Sequence, residues 1–279
     1  MAGHRMRVAQ RFGGCLLFVV LVIFNSSSMT KQRPAFDQLV VFGDSLSDIG
    51  NAGRFSNGPI WTERLAEALS LPLRPSDRGG QNFAVGGALV EVGPHSLRAQ
   101  ADKFFKLTPP SGSALYIVWG GANDVFAAME QPDPLTKLNA AAASLQGIVA
   151  DLIAHGASDL LVPNVPDVGI TPEIRAKGSK AVEEARRLTE HLNLAIESKL
   201  KTLHPSATRY RIYRLDVAAM ARQALYDPGS FGLTDISTPC RESGHCRNHL
   251  FWDEIHPTTD AHARLAEAAL DTIALLSTR

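Results

Sequence analysis

The chain has 279 residues, 45% hydrophobic and 20% charged, and its 28 Lys and Arg balance 28 Asp and Glu for a formal net charge of zero. These values exclude an intrinsically disordered chain, and with no Lys/Arg run nothing argues for a nucleic-acid partner. One domain is the default at this length, and no repeat or low-complexity stretch is visible.

The first stretch differs in kind from the rest. His4, Arg5, Arg7 and Arg11 carry the early charge, and no acidic residue precedes Asp37. Residues 15–24 (CLLFVVLVIF) are unbroken apolar sequence, and residues 25–28 (NSSS) are small and polar. A basic flank, a short apolar run and small residues make a secretory signal peptide over residues 1–28, with an uncleaved anchor as the alternative. The run falls short of the about 20 residues that cross a bilayer. The expectation is a mature domain over residues 29–279, secreted or periplasmic/extracellular, with no stable membrane span. Cleavage removes Cys15 and leaves Cys240 and Cys246.

Beyond this segment, apolar runs alternate with helical patterns. Residues 39–42 (LVVF) read as a strand and residues 60–70 as an amphipathic helix. Residues 82–85 read as a short second strand and residues 114–119 (ALYIVW) as a third, followed by an Ala/Leu-rich helix over 135–155. Residues 159–165 (DLLVPNV) are a fourth strand, 177–203 a long charged helix, 210–215 (YRIYRL) a fifth strand and 258–276 the last helix. Continuous apolar strands alternating with helices imply an α/β fold whose parallel sheet is covered on both faces. Such sheets place their sites at the carboxyl ends of the strands.

Polar residues gather there. The first strand runs into Gly43-Asp44-Ser45, which sets a hydroxyl at the sheet edge; the same residues also serve as turn and N-cap chemistry. Ser47, not glycine, stands two residues after Ser45, so this is not the Gly-x-Ser-x-Gly elbow. The second strand leads to Gly86-Gly87, where the backbone can approach a ligand or simply turn. The third ends in Gly120-Gly121-Ala122-Asn123-Asp124, where Asn123 can aim its amide at an anion or cap a helix. Near the end, His256 precedes Pro257, and Asp253 lies three residues earlier, within reach of the imidazole. Together the four segments supply a nucleophile, amide donors and an oriented base, which is what acyl transfer needs.

The four segments, FGDSLSDIGN, NFAVGGA, GGAND and FWDEIHPT, resemble the four blocks of the GDSL (SGNH) hydrolases. The resemblance spans residues 38 to 272 and is nearest to the larger secreted lipases and esterases. It implies a flavodoxin-like three-layer α/β/α sandwich with about five parallel strands. It implies a catalytic triad of Ser45, Asp253 and His256. The oxyanion hole would comprise the Ser45 N–H, the Gly87 N–H and the Asn123 amide, with Gly86 as the competitor of Gly87. The implied activity is hydrolysis of a small-molecule, lipid or glycan ester through an acyl-enzyme. Acyl transfer on the same site is the alternative, and an inactive binding relative is a further one. No cofactor or metal is implied, and a monomer is expected.

Trp61, Phe83, Val125, Phe126, Phe251 and Trp252 flank the blocks as candidates for an acyl pocket or for core. The loop over residues 166–179 is long for an α/β connection and is expected to shape the cleft. Cys240 and Cys246 pair in a disulfide or, with His245 and His249, bind zinc. An oxidising compartment, the absence of a Cys-x-x-Cys spacing and their being the only two cysteines left after cleavage favour the disulfide.

Overall fold

A computed structural model of the protein describes Met1, residues 36–203 and residues 209–276. Apart from Met1, the expected signal peptide lies outside the described residues. In chain order the elements are β1 (Gln38–Gly43), α1 (Trp61–Leu69), α2 (Leu97–Leu107), β2 (Ala114–Trp119), α3 (Ala122–Ala128) and α4 (Pro134–Ala154). They are followed by β3 (Asp159–Leu161), α5 (Pro172–Ala176), α6 (Ser179–Lys201), β4 (Arg211–Tyr213), α7 (Val217–Tyr226) and α8 (Thr259–Leu276).

The strands form one parallel sheet in the order β1-β2-β3-β4. Every residue of β2 is buried, as are all but the first of β1. Period-2 alternation then sends neighbouring side chains to opposite faces. Val40, Phe42, Tyr116 and Val118 enter one core, closed by α2, α3, α4 and α6. Leu39, Val41, Leu115 and Ile117 enter the other, closed mainly by α1 and α8. Burial on both faces is why these strands read as unbroken apolar runs.

The three-layer α/β expectation holds, with one correction. Among the described residues the sheet has four strands, against the about five expected. Residues 82–85 follow β1 through backbone bonds from Phe83 N–H to the Val41 carbonyl and from Val85 N–H to the Gly43 carbonyl. They form only isolated bridges, Asn82 with Val41 and with Pro75. The ladder stops because β1 itself ends at Gly43 and the chain turns at Gly86 and Gly87, with the Gly86 N–H given to Asp48 Oδ2. β3 and β4 are also shorter than the apolar runs that announce them. After Leu161 come two prolines, Pro163 and Pro166, which cannot donate to a ladder. α2 and α7 are helices that the apolar periodicity leaves unmarked. Side-chain caps start them: Ser96 accepts from the Ala99 N–H, and Asp216 from the Ala219 N–H. No helix among the described residues is long and apolar enough to cross a membrane.

Candidate active site

Gly43 ends β1 where a Cβ would lie 2.6 Å from the Trp119 carbonyl oxygen, so only glycine permits this approach of β1 to β2. Buried Gln100 brackets it, accepting from the Gly43 N–H at 2.9 Å and donating to its carbonyl at 2.8 Å. The chain then turns sharply. The Asp44 carbonyl accepts from the N–H groups of Ser47 and Asp48, and its carboxylate accepts from the Leu46 N–H. Burial pushes the Asp44 carboxyl up to about 6, against the pull of the Leu46 N–H and the charge of His256. Ser45 is left at the carboxyl edge of the sheet, with no acceptor for its N–H among the described residues.

Asp48 holds this turn against the following segments. Buried to 0% exposure, its Oδ1 accepts from the N–H groups of Gly50 and Asn51, and its Oδ2 from those of Ala52 and Gly86. Four charge-assisted bonds on one carboxylate make a rigid joint between the first and second motifs.

His256 comes from the far end of the chain. Its Nε2 lies 2.9 Å from Ser45 Oγ, and its Nδ1 lies 2.9 Å from both carboxylate oxygens of Asp253. Asp253 Oδ1 also accepts from the backbone N–H groups of Ile255 and His256. Burial works to raise the Asp253 carboxyl, but these bonds outweigh it and hold the carboxyl below its ordinary value. With Nδ1 bonded to a carboxylate, Nε2 is the nitrogen free to accept a proton from Ser45. The Phe55 ring packs on the imidazole at 5.1 Å between centroids.

The loop that carries this pair is anchored upstream. Cys240 and Cys246 form a disulfide with a Cα–Cα distance of 5.0 Å, so neither thiolate is available to a zinc ion. The Cys240 N–H donates to the Phe251 carbonyl and the Arg241 N–H to that of Trp252, immediately before Asp253.

Asn123 lies in the first turn of α3 and does not cap it; the N-cap is Gly121. Its amide donates to the Ala88 carbonyl at 3.0 Å, and Asp124 accepts from the Val90 N–H with both oxygens. Burial, followed by the nearby charges of Asp44 and Glu91, pushes the Asp124 carboxyl up to about 7 against the pull of the Val90 N–H. Gly87 adopts φ of +77°, and its N–H has no acceptor among the described residues. Gly86 gives its N–H to Asp48. The structure therefore brings Ser45, Asp253 and His256 into one hydrogen-bonded chain, with Asn123 beside them on a shared cavity. Gly87 is not among that cavity's walls and connects to Asn123 through Ala88.

Ser45 lines a cavity of about 140 Å³. Of the aromatic and apolar candidates, Phe126 and Phe251 line it. Trp61, Phe83 and Val125 are core, and Trp252 lies under the Arg241 guanidinium at 4.8 Å. Pro166, Asp167, Val168, Ile170 and Thr171 of the long loop form part of the wall, as expected. Several contributors escape sequence reasoning. The clamp residue Asp48 is visible in the first motif, but its four bonds are not. Gln100, Phe55 and the α7 wall leave no local signal at all.

Residues 39–269 match the family described as GDSL-like lipase/acylhydrolase. The chain is 26% identical to a phosphatidylcholine-sterol acyltransferase of Aeromonas hydrophila, over 91% of this chain and 94% of that protein. It is 28% identical to Lipase 1 of Photorhabdus luminescens, over 85% of this chain but 50% of that protein. It is 23% identical to a GDSL lipase of Tanacetum cinerariifolium, over 95% and 92%. Among solved structures, a catalytic mutant of an acetylxylan esterase from Geobacillus stearothermophilus superposes with a TM-score of 0.53. The match covers 85% of this chain and 94% of that one at 16% identity, a likeness of fold.

Proposed function

The chain belongs to the GDSL-like lipase/acylhydrolase family and is a carboxylic ester hydrolase, and we propose that it works through an acyl-enzyme on Ser45. The observation that carries this reading is the chain of contacts from Asp253 through His256 to Ser45 on the wall of an apolar cavity. Ser45 Oγ attacks the ester carbonyl while His256 Nε2 takes its proton. The oxyanion is received by the N–H groups of Ser45 and Gly87 and by the Asn123 amide. The free N–H of Gly87 and the occupied N–H of Gly86 support that choice. His256 returns its proton to the leaving alcohol, and water then releases the acyl group by the reverse route. A fluorophosphonate probe tests the reading: it labels the wild type and not Ser45→Ala. Label on Ser47 or elsewhere overturns it.

Acyl transfer is the second reading, because an Aeromonas hydrophila relative that the chain nearly spans is named an acyltransferase. An alcohol would replace water in the second half-reaction, and product analysis with an added acceptor separates the two outcomes. Residues 1–28 act as a cleaved secretion signal in this proposal, read by N-terminal sequencing of the mature protein. The domain acts as a monomer, read by sedimentation.

A further inference from the structure

The cavity at Ser45 extends far beyond the reacting atoms. α7 follows β4, and its first turn is tied to the sheet edge: the Ala218 N–H donates to Asn164 Oδ1, and the Asn164 carbonyl accepts from Trp119 Nε1. Val217, Met220, Ala221 and Ala224 of α7 all line the cavity, the i, i+3, i+4, i+7 face of one helix. From Val217 to Ala224 this face runs about 10 Å at 1.5 Å per residue, leading away from the sheet edge. Ala261 and Leu265 of α8 supply part of the wall as well. The end is closed where Arg264 donates to the Phe231 carbonyl, which brings α8 against the turn that follows α7.

Polar groups along these walls are already engaged. Trp119 Nε1 is bonded to Asn164, Thr171 Oγ1 to the Val168 carbonyl, and Arg264 to Phe231 and Glu267. His262 touches the cavity but is 1% exposed, and both ring nitrogens are sealed from it. Away from Ser45, Asn123 and His256, a bound molecule therefore meets apolar surface. Sugar hydroxyls there would lose water and gain no partner, at a cost, whereas methylene groups lose nothing. An acetyl group would leave most of the space unfilled.

We propose that the apolar cavity between α7 and α8 is the acyl-chain site, that the substrates are esters of long unbranched acyl groups, and that Ala221 and Ala224 set the accepted length. The proposal rests on the Ser45 acyl-enzyme reading above and adds the substrate class to it. Alanine at these two positions keeps the face of α7 low, so the cavity stays open for two turns. A larger side chain would fill the distal part and spare the end at Ser45.

The test is kcat/KM for nitrophenyl acetate, butyrate, octanoate and palmitate with the full mature protein. In the wild type octanoate exceeds acetate by about tenfold or more, since each methylene in a fitted apolar pocket contributes measurably. Ala224→Phe lowers the octanoate-to-acetate ratio by about tenfold or more, and Ala221→Leu moves it in the same direction. Tyr226→Ser, at the exposed end of α7, leaves the ratio at the wild-type value. A wild type that prefers acetate overturns the proposal, and so does an unchanged ratio in both alanine variants. Because the wild-type profile is itself decisive, a variant that fails to fold does not protect the idea. Loss of all ester cleavage in Ser45→Ala with a flat chain-length profile removes the acyl site alone. Persistent cleavage in Ser45→Ala removes the reading beneath it.

Discussion

The Gly86 N–H donates to Asp48 Oδ2 at 2.9 Å, and this bond decides which of two adjacent glycines has a free backbone donor. Gly86 is consumed in holding the second motif to the first. Gly87, with φ of +77°, keeps its N–H unengaged among the described residues.

Asp48→Asn is expected to destabilise the fold by about 2–4 kcal/mol, because one carboxylate oxygen is replaced by a donor that faces two N–H groups. Denaturant unfolding reads this. A variant as stable as the wild type would mean that the four bonds contribute little.

Asn123→Ala should lower kcat and kcat/KM together by about 2–4 kcal/mol in transition-state free energy, with KM little changed. A rise in KM alone marks Asn123 as a ground-state binding residue. Gly87→Ala meets open space around its new Cβ but must adopt a left-handed conformation. Its cost is then about 1–2 kcal/mol of strain, expressed at the oxyanion loop.

Asp253→Asn should reduce kcat by about 10⁴-fold, the scale for losing the residue that orients a triad histidine. In the wild type, activity falls on the acid side because His256 accepts the Ser45 proton only when neutral. That limb does not report Asp253, whose carboxyl is held below its ordinary value and stays ionised as pH falls to mildly acidic values. The stability contributed by Asp253 is present above the unfolded carboxylate range and is lost only as pH falls through the depressed folded value. A pH–rate profile of Asp253→Asn at wild-type height contradicts the triad.

Reduction of Cys240–Cys246 should lower activity more than Tm. The closed loop is short, so it contributes only about 2 kcal/mol by the chain-entropy estimate. Its first two residues, Cys240 and Arg241, donate to the carbonyls of Phe251 and Trp252, directly before Asp253. Parallel loss of Tm and activity on reduction would remove the positional role.

His262→Leu should make the protein more resistant to acid. Burial, then the charges of His256, Arg64 and Arg54, hold the folded His262 down to about 3, from 6.5. Between those values the unfolded chain takes up a proton that the folded ring refuses, so the wild type loses stability as pH falls through that window. Neither ring nitrogen has a partner among the described residues, so an apolar side chain forfeits no hydrogen bond. Tm compared at neutral pH and near pH 4 checks this, and equal acid sensitivity in both proteins contradicts it.

The local pattern of the chain determined much of this protein. Unbroken runs at 39–42 and 114–119 specify strands buried on both faces, and Gly-Asp-Ser after the first specifies where a hydroxyl emerges. Pro257 after His256 keeps that histidine out of the last helix, and Asp253 is near enough in sequence to find its ring. These are short-range consequences of sterics, periodicity and hydrogen-bond reach. Tertiary structure alone decided the rest. Ser45 and His256 meet across a separation of 211 residues, because β1 and the loop before α8 converge at one edge of the sheet. Trp61, Phe83 and Val125 look like pocket residues beside their motifs, yet packing of α1, α2 and α3 on the sheet turns them into core. The α7 wall could not be read from sequence, because small residues on a weakly marked helix acquire meaning only from the space that α8 leaves opposite them.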